Sequence, residues 1–197
     1  MPLPQAPREQ LHFRNIEMRG YRRPDGLFEI DGHLTDTKTF DFSPGGGDDN
    51  TVKAGNPIHE MWLRLVIDAK LFIHDVLAVT DHHPFPQCPE ATNIMASLKG
   101  LTIGAGWQAA IRERLGRADS CTHLREMLIP MGTAAMQSLG GIREGRDRSD
   151  KNGRPMKIDS CYAFSAERVQ VMQRWPTFYT GPATAGSNSG SKDTEPA

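Results

Sequence analysis

The chain has 197 residues, with 23 lysines and arginines against 24 acidic residues and a net charge of −1. That length suits one ordinary domain with a substantial core, and the near balance of charge gives no global attraction to nucleic acid or to a membrane surface. No apolar run approaches the roughly 20 residues that a membrane helix needs, so neither nucleic acid nor membrane is expected as a partner.

The opening residues, "MPLPQAPREQ", are proline-rich and expected to be extended. They lack the apolar core of a secretory signal, which points to a cytoplasmic location. "LHFRNIEMRGY" and "LFEIDGHLTDTKTFDF" alternate apolar and polar residues and read as strands. Pro24-Asp25-Gly26 supplies the turn between them, because Pro presets φ and Gly accepts a positive one. Ser43–Asn56 is a loop on composition and a candidate flap. Two further strands follow, Ile58–Asp68 and Leu71–Asp81, joined at Ala69 and Lys70. Met61, Leu63, Leu65 and Ile67 form the apolar side of the first.

After residue 88 the period lengthens. "CPEATNIMASLKG" has Pro at a helix-starting position, Glu in the first turn and Gly100 as a stop. "GWQAAIRERLG" reads as a short helix ending at Gly116. "DSCTHLREMLIPMGTAAMQSLGG" reads as a long one, capped by Asp119 or Ser120, stopped by Gly140-Gly141 and kinked or divided at Pro130. Residues 141–157 suit a linker or exposed loop, and "MKIDSCYAFSAERVQVMQRWPTFY" a short strand and a final helical turn. Gly181–Ala197, rich in Gly, Ser, Thr and Pro, reads as a disordered tail. Strands first and helices second argue α+β: one domain over residues 11–180, its N-terminal antiparallel sheet covered on one face by the C-terminal helices.

The three cysteines, Cys88, Cys121 and Cys161, form no CxxC pair. Cys88 and Cys121 each fall at the expected start of a helix. There free N–H groups and the helix dipole favour a thiolate, and hence metal binding or nucleophilicity. Each also fits as a small apolar residue at a helix–sheet junction. His123 lies two residues beyond Cys121 and is a candidate acid or base. His59 and Glu60 stand at a strand mouth, where they offer a metal ligand and a general base. Adjacent His82 and His83 diverge in an extended chain, and two exposed loop histidines describe them as well. Asp36 fits a plain same-face pair with Lys38. Arg22 and Arg23 are candidates for holding a carboxylate or phosphate.

The phrases "GYRRPDGLFEIDGHLTDTK", "IHEMWLRLVID", "CPEAT", "GLTIGAGW" and "CTHLREML" resemble the bacterial domain of unknown function 2889, from about Leu11 to Tyr179. That resemblance implies a setting in bacteria that degrade aromatic and other small organic compounds. His59 through Leu128 resembles the U-type iron–sulfur scaffold proteins, with Cys88 and Cys121 at two cysteine positions. Ile58, His59 and Glu60 stand where the first cysteine would be. This implies a mixed ligand set of Cys88, Cys121 and His59 or Glu60, suited to zinc or iron.

The leading expectation is a small metal- or thiol-dependent enzyme, a lyase or hydrolase of small-molecule catabolism. In it Cys88, Cys121 and His59 hold the metal, and Glu60 or His123 moves protons. The alternatives are a metal or iron–sulfur carrier without turnover, and a metal-free module in which Arg22, Arg23 and the Ser43–Asn56 loop hold a carboxylate or acyl ligand.

Overall fold

Alternation in "FEIDGHLTDTK" puts Phe28, Ile30, Leu34 and Asp36 on one face of a strand, and all four are buried. In the computed structural model, which describes residues 4, 6–45, 50–142 and 149–182, this strand is the second of four. The strands are β1 (His12–Arg22), β2 (Phe28–Lys38), β3 (Pro57–Ile67) and β4 (Ile73–His82). They pair antiparallel in the order β1-β2-β3-β4. Gly26, with φ of +86°, completes the β1–β2 turn, in which the Leu27 N–H donates to the Asp25 carboxylate. At the β3–β4 turn the Asp68 carboxylate accepts from the Lys70 and Phe72 N–H groups. The β2–β3 connection carries an antiparallel bridge between Phe42 and Val52. Residues 46–49, part of the expected flap, lie outside the described residues.

A 3-10 helix, Cys88–Leu98, follows β4, where the sequence suggests an ordinary helix. Gly100 and Leu101 then pair with Ile73, and Ile103 with Leu71, extending the hydrogen bonding of β4. Next come α1 (Trp107–Arg114) and α2 (Thr122–Ser138). The residue before α2 is Cys121 itself, in an extended conformation, while Arg117–Asp119 forms a separate 3-10 turn. The cap therefore falls one or two residues later than Ser120 or Asp119.

Pro130 does not end α2, which runs through it to Ser138. An interior proline costs a helix about 3 kcal/mol or more. Packing outweighs that cost: Leu124, Met127 and Leu128 before Pro130, and Met131 and Ala135 after it, are all fully buried in the core shared with the sheet. Gly32 in β2 lies under this seam. A Cβ there would meet the sulfurs of Met131, Met18 and Met127 at 3.0, 3.3 and 3.4 Å. The helices cover the face carrying Ile30, Leu34, Met61, Leu63 and Leu65. The other face presents Trp62, Leu77 and Val79 to solvent.

The chain divides into two compact units, residues 1–143 and 144–197. In the second, the described residues contain one bridge, Ser149 to Pro155, two 3-10 turns and the short α3 (Val169–Arg174). Asp159, at φ of +63°, pairs with Arg154 and accepts from the Ala166 N–H. The strand expected around "MKIDSC" is replaced by these turns, and the exposed Cys161 sits among them. The expected tail, Gly181–Ala197, lies outside the described residues beyond Pro182. No helix among the described residues is long and apolar enough to cross a membrane.

Candidate metal centre

Asp36 is the one buried charged residue among those described, at 2% exposure. The parity that turns Ile30 and Leu34 inward carries Asp36 inward two residues later, at the end of the sheet where α2 begins. Its partners come from three directions. From β1, Arg14 forks onto the carboxylate, Nε donating to Oδ1 at 2.7 Å and Nη2 to Oδ2 at 2.8 Å. His12 Nε2 stands 3.0 Å from Oδ1. From β3, His59 Nδ1 lies 3.1 Å from Oδ2. From the first turn of α2, His123 Nε2 lies 3.5 Å from the same oxygen.

The two imidazoles that share Oδ2 are neighbours, with ring centroids 4.0 Å apart and a tilt of 34°. One ligand atom each of Asp36, His59 and His123 lies within 4.8 Å of the others, the span of a group that could hold a metal ion. Cys121 stands beside it. Its Sγ is 3.8 Å from His123 Nδ1 and 3.7 Å from the Met61 sulfur. Glu126, one turn along α2 from His123, accepts from Arg14 Nη1 at 2.8 Å and ties α2 to β1.

Burial opposes ionisation of Asp36. Hydrogen bonds from Arg14, its positive charge and the hydrogen bond from His12 outweigh burial and hold the carboxyl below its ordinary 3.8. The histidines move the other way from charge. Burial lowers the His59 pKa first, and the neighbouring His123 lowers it further, against the pull of Asp36. Burial and the charge of Arg14 lower His123, against Asp36 and Glu126. Both imidazoles are thus held towards the neutral form, the state in which a ring nitrogen ligates a metal or accepts a proton.

This sets a pH dependence. A group whose folded pKa is depressed contributes fully above its unfolded value, and the contribution is lost as pH falls through the folded one. For His59 and His123 the ordinary value is 6.5. The urea midpoint is therefore expected to hold above about pH 7 and to decline as pH falls below that value, well before Asp36 titrates. Replacing both histidines with Gln flattens the decline. An unchanged slope in that double variant refutes the assignment.

The sequence-derived candidates separate. His59 and His123 meet, and Cys121 adjoins them. Cys88 is the first residue of the 3-10 helix and is not part of the Asp36 group. Glu60 faces the other side of the sheet, where its carboxylate lies 3.1 Å from His33 Nε2 and 2.8 Å from His82 Nδ1. His33 in turn stacks on Trp62 at 3.6 Å. His83 Nδ1 lies 2.8 Å from the Phe85 carbonyl oxygen. Arg23 pairs with Asp25 and Glu29, and Arg22 lies over the Phe28 ring. Asp36, Arg14 and His12 are the members of the cluster that sequence reasoning did not assign to it.

Fold and site together define a small α+β protein: a four-stranded antiparallel meander backed by helices, with a buried carboxylate facing two imidazoles. Residues 12–137 match the family described as Protein of unknown function (DUF2889), and the chain belongs to that family. The match spans all four strands, both longer helices but for the last residue of α2, and every residue of the Asp36 cluster. No curated protein and no solved structure matches the chain, so the likeness to iron–sulfur scaffolds has no support beyond the sequence phrases.

Proposed function

We propose that this chain is a small cytoplasmic enzyme, a lyase or hydrolase acting on small molecules, that holds zinc or iron among Asp36, His59 and His123. The observation that carries this reading is the convergence of one carboxylate and two imidazoles on a single point. Two nitrogens and one oxygen suit either metal, and three protein ligands leave a position for water or a substrate oxygen. Arg14 and His12 then act as outer partners that orient the Asp36 carboxylate. Glu60 and Cys88 take no part in this ligand set.

Titration calorimetry of the metal-free protein with Zn²⁺ and Fe²⁺ tests it, one ion per chain being expected. His59→Ala and His123→Ala should each weaken binding by more than the roughly 10–100-fold typical of losing an outer partner. Cys88→Ser and Glu60→Gln should bind as wild type. Absence of stoichiometric binding, or full binding by the double histidine variant, sinks the proposal.

One observation favours a second reading. The Arg14 fork already compensates the Asp36 charge and weakens its hold on a cation. Without metal, His123 stands between the Cys121 thiol at Nδ1 and Asp36 at Nε2, a nucleophile, base and orienting group in sequence. That arrangement suits acyl transfer through a thiolate. It predicts that iodoacetamide alkylates Cys121 of the metal-free protein and that His123→Ala abolishes the selectivity for this site. Equal labelling of Cys121 in both proteins excludes it.

A further inference from the structure

A groove of about 400 Å³ runs between α1 and α2, on the flank of α2 away from the sheet. It shares no residue with the Asp36 cluster and does not depend on the metal reading. We propose that it binds a small carboxylic acid with an apolar body, the carboxylate at Arg112 and the body along α2.

Four observations support this. First, the lining pairs apolar side chains with polar ones: Ile103 and Trp107 are buried, Ile129 and Met136 stay 45% exposed on one side of α2, and Gln108, Arg112 and Thr133 stand among them. Side chains of that size along a groove offer contact to the apolar body of a ligand. Secondly, Gly132 fixes one wall of the groove, because its missing side chain is where the indole packs. A Cβ there would meet Trp107 Nε1 at 2.9 Å, so the missing side chain lets the indole lie against the helix, with Nε1 donating to the Leu128 carbonyl at 3.0 Å.

Thirdly, the charge at the groove is single and uncompensated. Among the described residues Arg112 has no ion-pair or hydrogen-bond partner, unlike Arg14, Arg23, Arg64 and Arg154. None of the residues lining the groove is acidic. A guanidinium in such a place fits a carboxylate through two parallel hydrogen bonds. Fourthly, the volume suits a ligand of modest size. It lies near the lower end of the ~300–1,000 Å³ of pockets that enclose small molecules.

The test uses octanoate as the anionic probe and octanamide as its neutral counterpart, by calorimetry on the full chain with a chelator present. The chelator removes any contribution from the Asp36 centre. Octanoate should bind, and octanamide should bind about tenfold more weakly, the scale of one charge-assisted contact. Arg112→Gln should reduce octanoate affinity to that of octanamide. Gly104→Leu should abolish binding of both by filling the groove, since a Cβ at Gly104 meets nothing within 4 Å. His59→Ala should bind octanoate as wild type does. Equal affinity for the two probes, or unchanged octanoate binding by Arg112→Gln, overturns the carboxylate assignment. Unchanged binding by Gly104→Leu, or no binding by wild type, overturns the site. Melting curves of each variant show whether it folds. Should Arg112→Gln fail to fold, the two probes on wild type and on Gly104→Leu still decide the question.

Discussion

Asp36→Asn is expected to lower the free energy of unfolding by about 2–3 kcal/mol and to remove metal binding. Asparagine keeps the shape of the side chain but removes the charge that Arg14 grips with two hydrogen bonds. It also sets an NH2 group against donors from Arg14, His12 and His59, where the carboxylate accepts from all of them. Breaking a fully buried pair costs about 3–5 kcal/mol. The lower figure is right here because the Arg14 side chain keeps 33% of its surface in water. Adding Arg14→Met to Asp36→Asn should recover part of the loss, since removing both partners leaves no uncompensated charge. Chemical denaturation of the two single variants and the double variant gives the coupling directly. A change within about 0.5 kcal/mol for Asp36→Asn, the range of an ordinary surface substitution, would mean that the carboxylate is not the hub of the cluster.

Trp107→Ala should cost about 3–5 kcal/mol, the range for removing a buried aromatic ring. The indole fills the space beside Gly132 and Ile103 and caps the Leu128 carbonyl. Trp107→Phe isolates the polar part. It keeps most of the buried surface, loses the Nε1 donor, and should cost about 1 kcal/mol through that bond. Gly132→Ala presses on the same contact from the other side. Its Cβ would sit 2.9 Å from Nε1, and overpacking of this kind costs about 1–3 kcal/mol. Thermal melts should rank Trp107→Ala as most damaging and Trp107→Phe as least. If Gly132→Ala melts with wild type, the indole and α2 are less closely fitted than the geometry indicates.

Much of the fold was legible in the sequence because its signals are local. The alternation of Met61, Leu63, Leu65 and Ile67 marks β3, and these four side chains face the core. Pro-Asp-Gly marks the first turn. The change of period after residue 88 marks where helices begin. Less local facts were harder to read. A run with Pro at its second position and Glu at its third carries helix-start chemistry, yet Cys88–Leu98 winds as a 3-10 helix. Pro130 reads as a kink or a division, because the buried residues on both sides that carry α2 through it are a property of the packed core.

The site divides along the same line. His59 and His123 stand out in the sequence as residue types at element ends. Asp36 reads as the neighbour of Lys38, although its parity with Ile30 and Leu34 turns it inward. An inward-facing carboxylate needs a charged partner, and that partner, Arg14, is 22 residues away on another strand. Register alone brings them opposite one another, through the pairing of Arg14 with Asp36. The local sequence around either residue carries no sign of it. Cys88 and Cys121 share helix-start chemistry, but such chemistry says nothing of how far apart two helix starts lie.

The methionines around Gly32 bear on how firmly His123 is aimed. Met18, Met127 and Met131 bring their sulfurs to the gap above that glycine, and Met61 touches Cys121 where α2 begins. Unbranched, polarizable side chains adapt their shape at little cost. The bearing on which α2 rides over the sheet is therefore compliant, while the carboxylate on β2 is clamped by Arg14. One jaw of the clasp is fixed and the other is not. Met18 is the one of these methionines that is only partly buried, and a sulfoxide there would put a polar group into the seam on which the aim of His123 at Asp36 depends.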